Sequence, residues 1–154
     1  MKNKIKVYVA GPYRLTDMCY NINRAIGTAN YLLNMGFVPF VPHLDHFWNI
    51  LYPKGDENIW IDYCLEWLKV CDCMFVLSGE SKGVLIEIKE AEKLNIPVFY
   101  DIGDLIKNYD KNNTIEGREY VEAYVQFIHY AEKIYDMNSP ADKHTTNSKE
   151  IHKH

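Results

Sequence analysis

Four short apolar runs alternate with longer amphipathic stretches along this chain. The runs are Ile5–Ala10, Phe37–Val41, Cys71–Leu77 and Ile96–Tyr100. Each is followed by Gly, Pro, Ser or Asp, as is typical of strands. Apolar residues recur at spacings of three and four in Met18–Met35, in Asn58–Val70 and in a third stretch that ends near Asn95. This alternation predicts an α/β fold with an open, mostly parallel sheet, Rossmann-like or flavodoxin-like, and helices on both faces.

The remaining segments are more polar or more aromatic. We interpret the aromatic segment from Leu44 to Trp60 as a lid or pocket wall. Residues 101–117 are loop-like, with one helical turn at Asp104–Lys107, and an amphipathic helix is expected over Glu119–Tyr135. We therefore expect one domain over residues 1–135 and a frayed polar tail over residues 136–154.

Composition and charge exclude several classes of protein. The chain has 154 residues, 47% of them hydrophobic, a net charge of −4 and a pI of about 5.8, which argues against a nucleic-acid partner. We expect no membrane span, because no run of about eighteen apolar residues occurs. The basic N-terminus leads into a short strand pattern, too short for a signal-peptide core. Four cysteines without disulfide-framework spacing are expected to be reduced thiols in a cytoplasmic protein.

Polar residues follow three of the predicted strands. They are Gly11-Pro12-Tyr13-Arg14, His43-Leu44-Asp45 and the loop from Ser78 to Gly83. Because parallel α/β sheets bind ligands at the carboxyl ends of their strands, we expect these turns to converge on one site. Arg14 supplies a fixed cation suited to a phosphate or carboxylate. Gly83 either sets turn geometry or lets a substrate approach the backbone beside Ser81.

Two carboxylates near helix starts are the candidates for chemistry. Glu87 is expected within the first turn of the third helix, where it could simply favour the helix dipole. Its apolar neighbours, Val84-Leu85-Ile86 and Ile88, instead predict a buried carboxyl with a raised pKa. Asp62 could cap its helix, but it lies among aromatic residues that could stack on a ring. A nucleophilic carboxylate and an acid suit cleavage at an anomeric carbon.

Metal and cofactor alternatives are weaker. His43, Asp45 and His46 could hold a divalent ion, but no matching ligand pair with recognised spacing follows, so we predict no metal. Cys71 and Cys73 share one face of a strand and are expected to pack in the core. Dinucleotide fingerprints, the Walker phosphate loop and the nucleophile elbow do not occur, and no cofactor is expected.

Taken together, four segments resemble the nucleoside 2-deoxyribosyltransferase superfamily, including its 2′-deoxynucleoside 5′-monophosphate N-glycosidase branch. They are Val7-Tyr8-Val9-Ala10-Gly11-Pro12-Tyr13-Arg14, Pro39-Phe40-Val41-Pro42-His43, Asp62–Leu68 running into Cys71-Asp72, and Ser81–Glu87. The resemblance spans about Ile5 to Tyr100, and the order of the segments is more specific than any one of them. The long aromatic insertion departs from the family pattern and leaves the base undefined.

The resemblance implies a role for each matching residue. Glu87 matches the glutamate that attacks C1′ and forms a glycosyl-enzyme, and Asp62 matches the aspartate at the base and leaving-group end. Ser81 stands where transferases have Asp and the monophosphate hydrolases have Ser, which favours a phosphorylated substrate. The list of expected substrate-binding residues is Gly11, Tyr13, Arg14, His43, Ser81 and Gly83.

The resemblance also implies a homo-oligomer whose neighbouring subunit completes the pocket, with Asn112–Tyr120 as the donor segment. The expected activity is cleavage or transfer of the N-glycosidic bond of a nucleoside or nucleoside 5′-monophosphate. The alternative is a nucleotide-binding or sensing protein that keeps the pocket without turnover. The base, the sugar and the acceptor are left open by the sequence.

Overall fold

A parallel sheet of four strands forms the centre of the computed structural model, which describes residues 4–109 and residue 126. The strands are β1 (Lys6–Ala10), β2 (Val38–Phe40), β3 (Cys73–Val76) and β4 (Val98–Phe99). Their spatial order is β2-β1-β3-β4, and all three pairings are parallel. The predicted open, parallel α/β sheet is confirmed.

Five α-helices and one 3₁₀ turn connect or follow the strands in the described part of the chain. They are α1 (Met18–Asn34), a 3₁₀ turn (Pro42–Leu44), α2 (Asp45–Leu51), α3 (Asn58–Leu68), α4 (Lys82–Lys93) and α5 (Ile102–Tyr109). The predicted helix over Glu119–Tyr135, apart from Gln126, and the expected tail lie outside the described residues.

Two hydrophobic cores lie on opposite faces of the sheet because side chains alternate along each strand. Val7 and Val9 of β1 point into the core formed with α1 and α5, where Leu32 and Leu105 are fully buried. Tyr8 and Ala10 point into the core formed with α3 and α4. Helices therefore cover both faces, as predicted.

The order of the strands places a switch point between β1 and β3. The connection after β1 is α1, which packs on one face, and the connection after β3 is α4, which packs on the other. The two connections thus leave the carboxyl edge of the sheet towards opposite faces. In open α/β sheets this divergence creates the crevice in which ligands bind.

Two sequence-based boundaries are wrong, and one helix was not predicted. Within the segment predicted as a lid or pocket wall, Asp45–Leu51 forms a helix. Asp104–Lys107 was expected to be one turn, whereas α5 covers Ile102–Tyr109, and the Asp101 carboxylate accepts from the Asp104 N–H at 3.0 Å at its start. Glu87 is the sixth residue of α4 and lies in its second turn, because the helix already begins at Lys82.

Candidate active site

The turns after β1, β2 and β3 meet at the carboxyl edge of the sheet, as predicted. The buried His43 imidazole donates from Nε2 to the Pro12 carbonyl at 2.9 Å, which joins the β2 turn to the β1 turn. A Cβ on Gly11 would lie 2.9 Å from Leu77 Cδ1, and one on Gly79 would lie 2.6 Å from Pro12 Cγ. Both glycines therefore allow the β1 turn to pack against the end of β3.

Glu87 is held by Tyr8 beneath this edge. The Tyr8 hydroxyl donates to Glu87 Oε1 at 2.6 Å, and Tyr8 itself is fully buried in β1. Burial raises the pKa of Glu87 to about 7, although the Tyr8 hydrogen bond lowers it, since that bond favours the carboxylate. The pKa of Tyr8 is raised well above its ordinary value by burial and by the nearby Glu87 charge, so Tyr8 stays a donor.

The predicted burial and raised pKa of Glu87 are confirmed, but two of the apolar neighbours expected to cover it are exposed. Leu85 and Ile86, which were expected to bury the carboxyl, are 58% and 43% exposed. The carboxyl is instead covered from the sheet side, where it meets Tyr8. The helical period turns Glu87 inward with Val84, Ile88 and Ala91, while Leu85 and Ile86 face outward.

A second carboxyl is linked to this pair through a thiol. The Cys64 thiol of α3 donates to Asp45 Oδ2 at 3.2 Å, and it also interacts electrostatically with Tyr8 and Glu87. Burial raises the pKa of Asp45. Asp45, Cys64, Tyr8 and Glu87 thus form a connected polar group, built from α2, α3, β1 and α4, which we call the Asp45–Glu87 line.

Four aromatic side chains from α2 and α3 form a continuous surface next to that line. They are Trp48, Trp60, Tyr63 and Trp67, called here the aromatic wall. Trp67 stacks on Phe40 with ring centroids 5.2 Å apart, and Phe40 in turn lies 5.6 Å from the Tyr8 ring. Trp48 and Trp67 are 47% and 43% exposed, so part of the aromatic surface of the wall is accessible to solvent.

The predicted residues of the first turn have partners within the protein. Tyr13 is hydrogen-bonded to His46 Nδ1, and its ring meets the His43 ring edge to face. Arg14 was expected to bind phosphate; its guanidinium forms an exposed ion pair with Glu57. A ligand anion at Arg14 would therefore compete with that carboxylate.

Ser81 and Gly83 begin α4. Ser81 is its N-cap, and its Oγ accepts from the Val84 N–H at 3.4 Å, so the hydroxyl hydrogen is left to donate elsewhere. A Cβ on Gly83 would meet only Ser81 Oγ, at 3.7 Å, which is an ordinary contact. The protein itself does not require glycine at this position, in contrast to Gly79.

Asp62, the second predicted catalytic carboxylate, lies on the exposed surface of α3. Asp62 interacts electrostatically with Lys69 and helps to raise the pKa of that lysine. Within the described residues no hydrogen bond links Asp62 to Glu87, Tyr8 or Cys64.

One buried cation at this edge was missed by the sequence analysis. Arg24 of α1 is 8% exposed, and its guanidinium donates to the Ser78 carbonyl at 3.1 Å and to Ser78 Oγ at 2.7 Å. It thereby anchors the loop that leads to Ser81. The sequence contained a signal for this residue, because Asn21, Arg24 and Thr28 recur at the spacing of one helix face. In the structure all three are buried.

The metal alternative finds no ligand cluster in the described residues. Across residues 4–109 no group of three or more His, Cys, Asp or Glu side chains could hold a metal ion. His43 and His46 are instead engaged with Pro12 and Tyr13. No helix in the described part of the chain is long and apolar enough to cross a membrane.

Comparison with known proteins identifies a family without an assigned activity. No curated protein matches the chain. The matched region begins just before β1 and ends just after β4, so it includes the whole sheet and every residue of the Asp45–Glu87 line. By this match over residues 5–101, the chain belongs to the family described as "Domain of unknown function (DUF7768)".

Proposed function

We propose that this protein is an enzyme that cleaves the N-glycosidic bond of a nucleoside or nucleoside 5′-monophosphate through a nucleophilic Glu87. The observation that carries the proposal is the Tyr8–Glu87 hydrogen bond, which joins β1 to α4. With a pKa of about 7, roughly half of the Glu87 side chains are ionised at neutral pH. Tyr8 fixes one carboxylate oxygen and leaves the other for C1′.

The surroundings of Glu87 suit the rest of such a substrate. The aromatic wall supports a nucleobase, because its exposed faces can stack on a planar ring. The Ser81 hydroxyl and the N-terminus of α4 favour a phosphate, since both offer donors and a helix start attracts negative charge. Tyr13, His43 and Gly11 are proposed to shape the sugar end, and Arg14 to bind phosphate after leaving Glu57.

Other parts of the proposal rest on the resemblance described above. The leaving base is expected near a second carboxylate, for which Asp62 is the candidate by resemblance. A homo-oligomer with a pocket completed by a neighbouring subunit is also proposed, but Asn112–Tyr120 lies outside the described residues. A reducing, cytoplasmic setting fits the four free cysteines.

Release of free base tests the activity. The full-length protein is incubated with ribo- and 2′-deoxynucleosides and their 5′-monophosphates, with and without a second free base, and the products are separated by chromatography. Hydrolysis gives free base and sugar, whereas transfer gives a new nucleoside. Glu87→Gln should abolish release, and Glu92→Gln, an exposed carboxylate on the same helix, should not.

Trapping the intermediate distinguishes a nucleophile from a binding residue. Rapid acid quenching followed by mass spectrometry should find one glycosyl group attached to the peptide that contains Glu87. Tight binding of a nucleotide without release of base from any substrate would overturn the enzyme and favour a sensing protein.

A further inference from the structure

Asp45 is linked to Glu87 through the Cys64 thiol, and it belongs to the segment that the sequence predicts as a lid or pocket wall. Asp45 opens α2, and its Oδ2 accepts from the Cys64 thiol at 3.2 Å. The same thiol interacts with Tyr8 and Glu87. Asp45 is only partly exposed, whereas Asp62 is exposed on α3.

Asp45 also adjoins the surface that suits a base. Trp48 follows it by one helical turn on α2, and Trp48 meets Tyr63 with ring centroids 5.8 Å apart. Tyr63 directly precedes Cys64 in α3. The Asp45 carboxyl is therefore linked to the Tyr8–Glu87 pair through Cys64 and lies one helical turn before Trp48 of the aromatic wall.

From this arrangement we infer that Asp45, rather than Asp62, is the acid that protonates the leaving base. The inference rests on the proposed function. Partial burial raises the pKa of Asp45 and so favours the protonated form that an acid must have, although the Cys64 hydrogen bond lowers it. The Cys64 thiol fixes Oδ2, which leaves Oδ1 to carry the proton towards the base.

Glu87 as the nucleophile and Asp45 as the acid together account for one cycle of hydrolysis. A Glu87 oxygen forms a bond to C1′ while the C1′–N bond breaks and its electron pair stays on the base nitrogen. The Asp45 proton passes to the base, which leaves neutral. Water then attacks C1′, gives a proton to the Asp45 carboxylate and releases Glu87 as a carboxylate, so one water is consumed for each base released.

A leaving group that depends less on protonation provides the test. Each substrate that the wild-type protein cleaves is compared with a partner whose base leaves more easily: the N7-methylated form for a purine, the 5-fluoro form for a pyrimidine. Asp45→Asn should slow release from the ordinary substrate by about 10²–10⁴-fold, the usual effect of removing a general acid. It should slow release from the activated partner less than tenfold.

Matched variants make the result decisive. Retained cleavage of the activated partner shows that Asp45→Asn is folded with a working Glu87, and Glu87→Gln should lose both substrates. Asp62→Asn tests the carboxyl implied by the resemblance and should not show a loss that is selective for the ordinary substrate. The inference is overturned if Asp45→Asn slows both substrates equally or neither, or if Asp62→Asn shows the selective loss. Absence of base release by the wild-type protein would instead refute the proposed function itself.

Discussion

Tyr8 and Glu87 are 79 residues apart in sequence and are joined by a hydrogen bond of 2.6 Å. The bond connects the centre of β1 to the second turn of α4 across one face of the sheet. The alternation along β1 turns Tyr8 towards α3 and α4, while Val7 and Val9 face α1. The bond therefore depends on the fold, and the fold gains a polar link inside an apolar layer.

Removal of the Tyr8 hydroxyl should destabilise the protein more at pH 8 than at pH 5. At pH 8 Glu87 is mainly ionised, and Tyr8→Phe leaves the Glu87 carboxylate without this donor. At pH 5 Glu87 is mainly protonated. A hydrogen bond to a charged group contributes about 1.5–3 kcal/mol, so a loss of that order is expected at pH 8 in urea unfolding. Tyr100→Phe, at a 66% exposed site, serves as the control. Equal losses at both pH values would contradict the charge-assisted bond.

Glu87→Gln should stabilise the protein, and the gain should grow as pH rises. The folded protein keeps the Glu87 proton up to about pH 7, whereas an unfolded glutamate loses it near 4.5. Between these values the folded state binds more protons, so the free energy of unfolding of the wild type falls with pH, by up to about 3 kcal/mol. Gln resembles the protonated side chain and does not titrate.

Urea unfolding of Glu87→Gln and the wild type at pH 4.5, 6, 7 and 8 measures this difference. It should be small at pH 4.5, increase up to about pH 7 and then level off. Glu92→Gln, on an exposed position of the same helix, should show no such trend. A difference that is independent of pH would mean that Glu87 titrates normally in the folded protein.

The sheet was predictable from the sequence because its signals are local. Apolar runs marked the strands, and Gly36, with a φ of +87°, stands after the end of α1 as the sequence predicts. The seven-residue helix α2 was missed because it is too short to show a helical period and leaves its apolar side chains exposed. The predicted turns converge because parallel strands end on the same edge.

The polar contacts within the site were not predictable from the sequence. The Asp45–Cys64 contact joins two helices that follow the same strand, and neither residue belongs to a motif that predicts it. The pairing of Arg14 with Glu57 likewise depends on where the segment after α2 returns to the first turn. Such contacts depend on tertiary packing. A pattern of apolar positions indicates which face of an element is buried, but not which side chains meet there.

Cys19 should be the first cysteine to react with a thiol reagent in the native protein. It is exposed, whereas the other three are buried. Burial raises the pKa of Cys71 to about 11 and that of Cys73 to about 12, and it raises the pKa of Cys64 further, so little reactive thiolate forms near pH 8. Peptide mapping after brief alkylation with iodoacetamide measures the order. Early labelling of Cys64 would show that the Asp45–Glu87 line is open to solvent.

Gly79→Ala should destabilise the protein, because the added methyl meets a rigid neighbour. Gly79 has a φ of +119°, and its Cβ would lie 2.6 Å from Pro12 Cγ. Backbone strain of this kind costs about 1–3 kcal/mol, which thermal or urea unfolding would detect. An unchanged free energy of unfolding would show that the β1 and β3 turns can separate at no cost.

Gly83→Ala should stabilise the protein and at the same time weaken its binding of a phosphorylated substrate. The added methyl meets only Ser81 Oγ, at 3.7 Å, and alanine favours the helical backbone, so the free energy of unfolding should rise by about 0.4–1 kcal/mol. The same methyl would occupy the space in which a phosphate is proposed to approach the start of α4. KM for a nucleoside 5′-monophosphate should therefore rise by about tenfold, equivalent to about 1.4 kcal/mol, while a nucleoside without phosphate is less affected. A stabilised variant with an unchanged KM for both would place the phosphate away from Ser81 and Gly83.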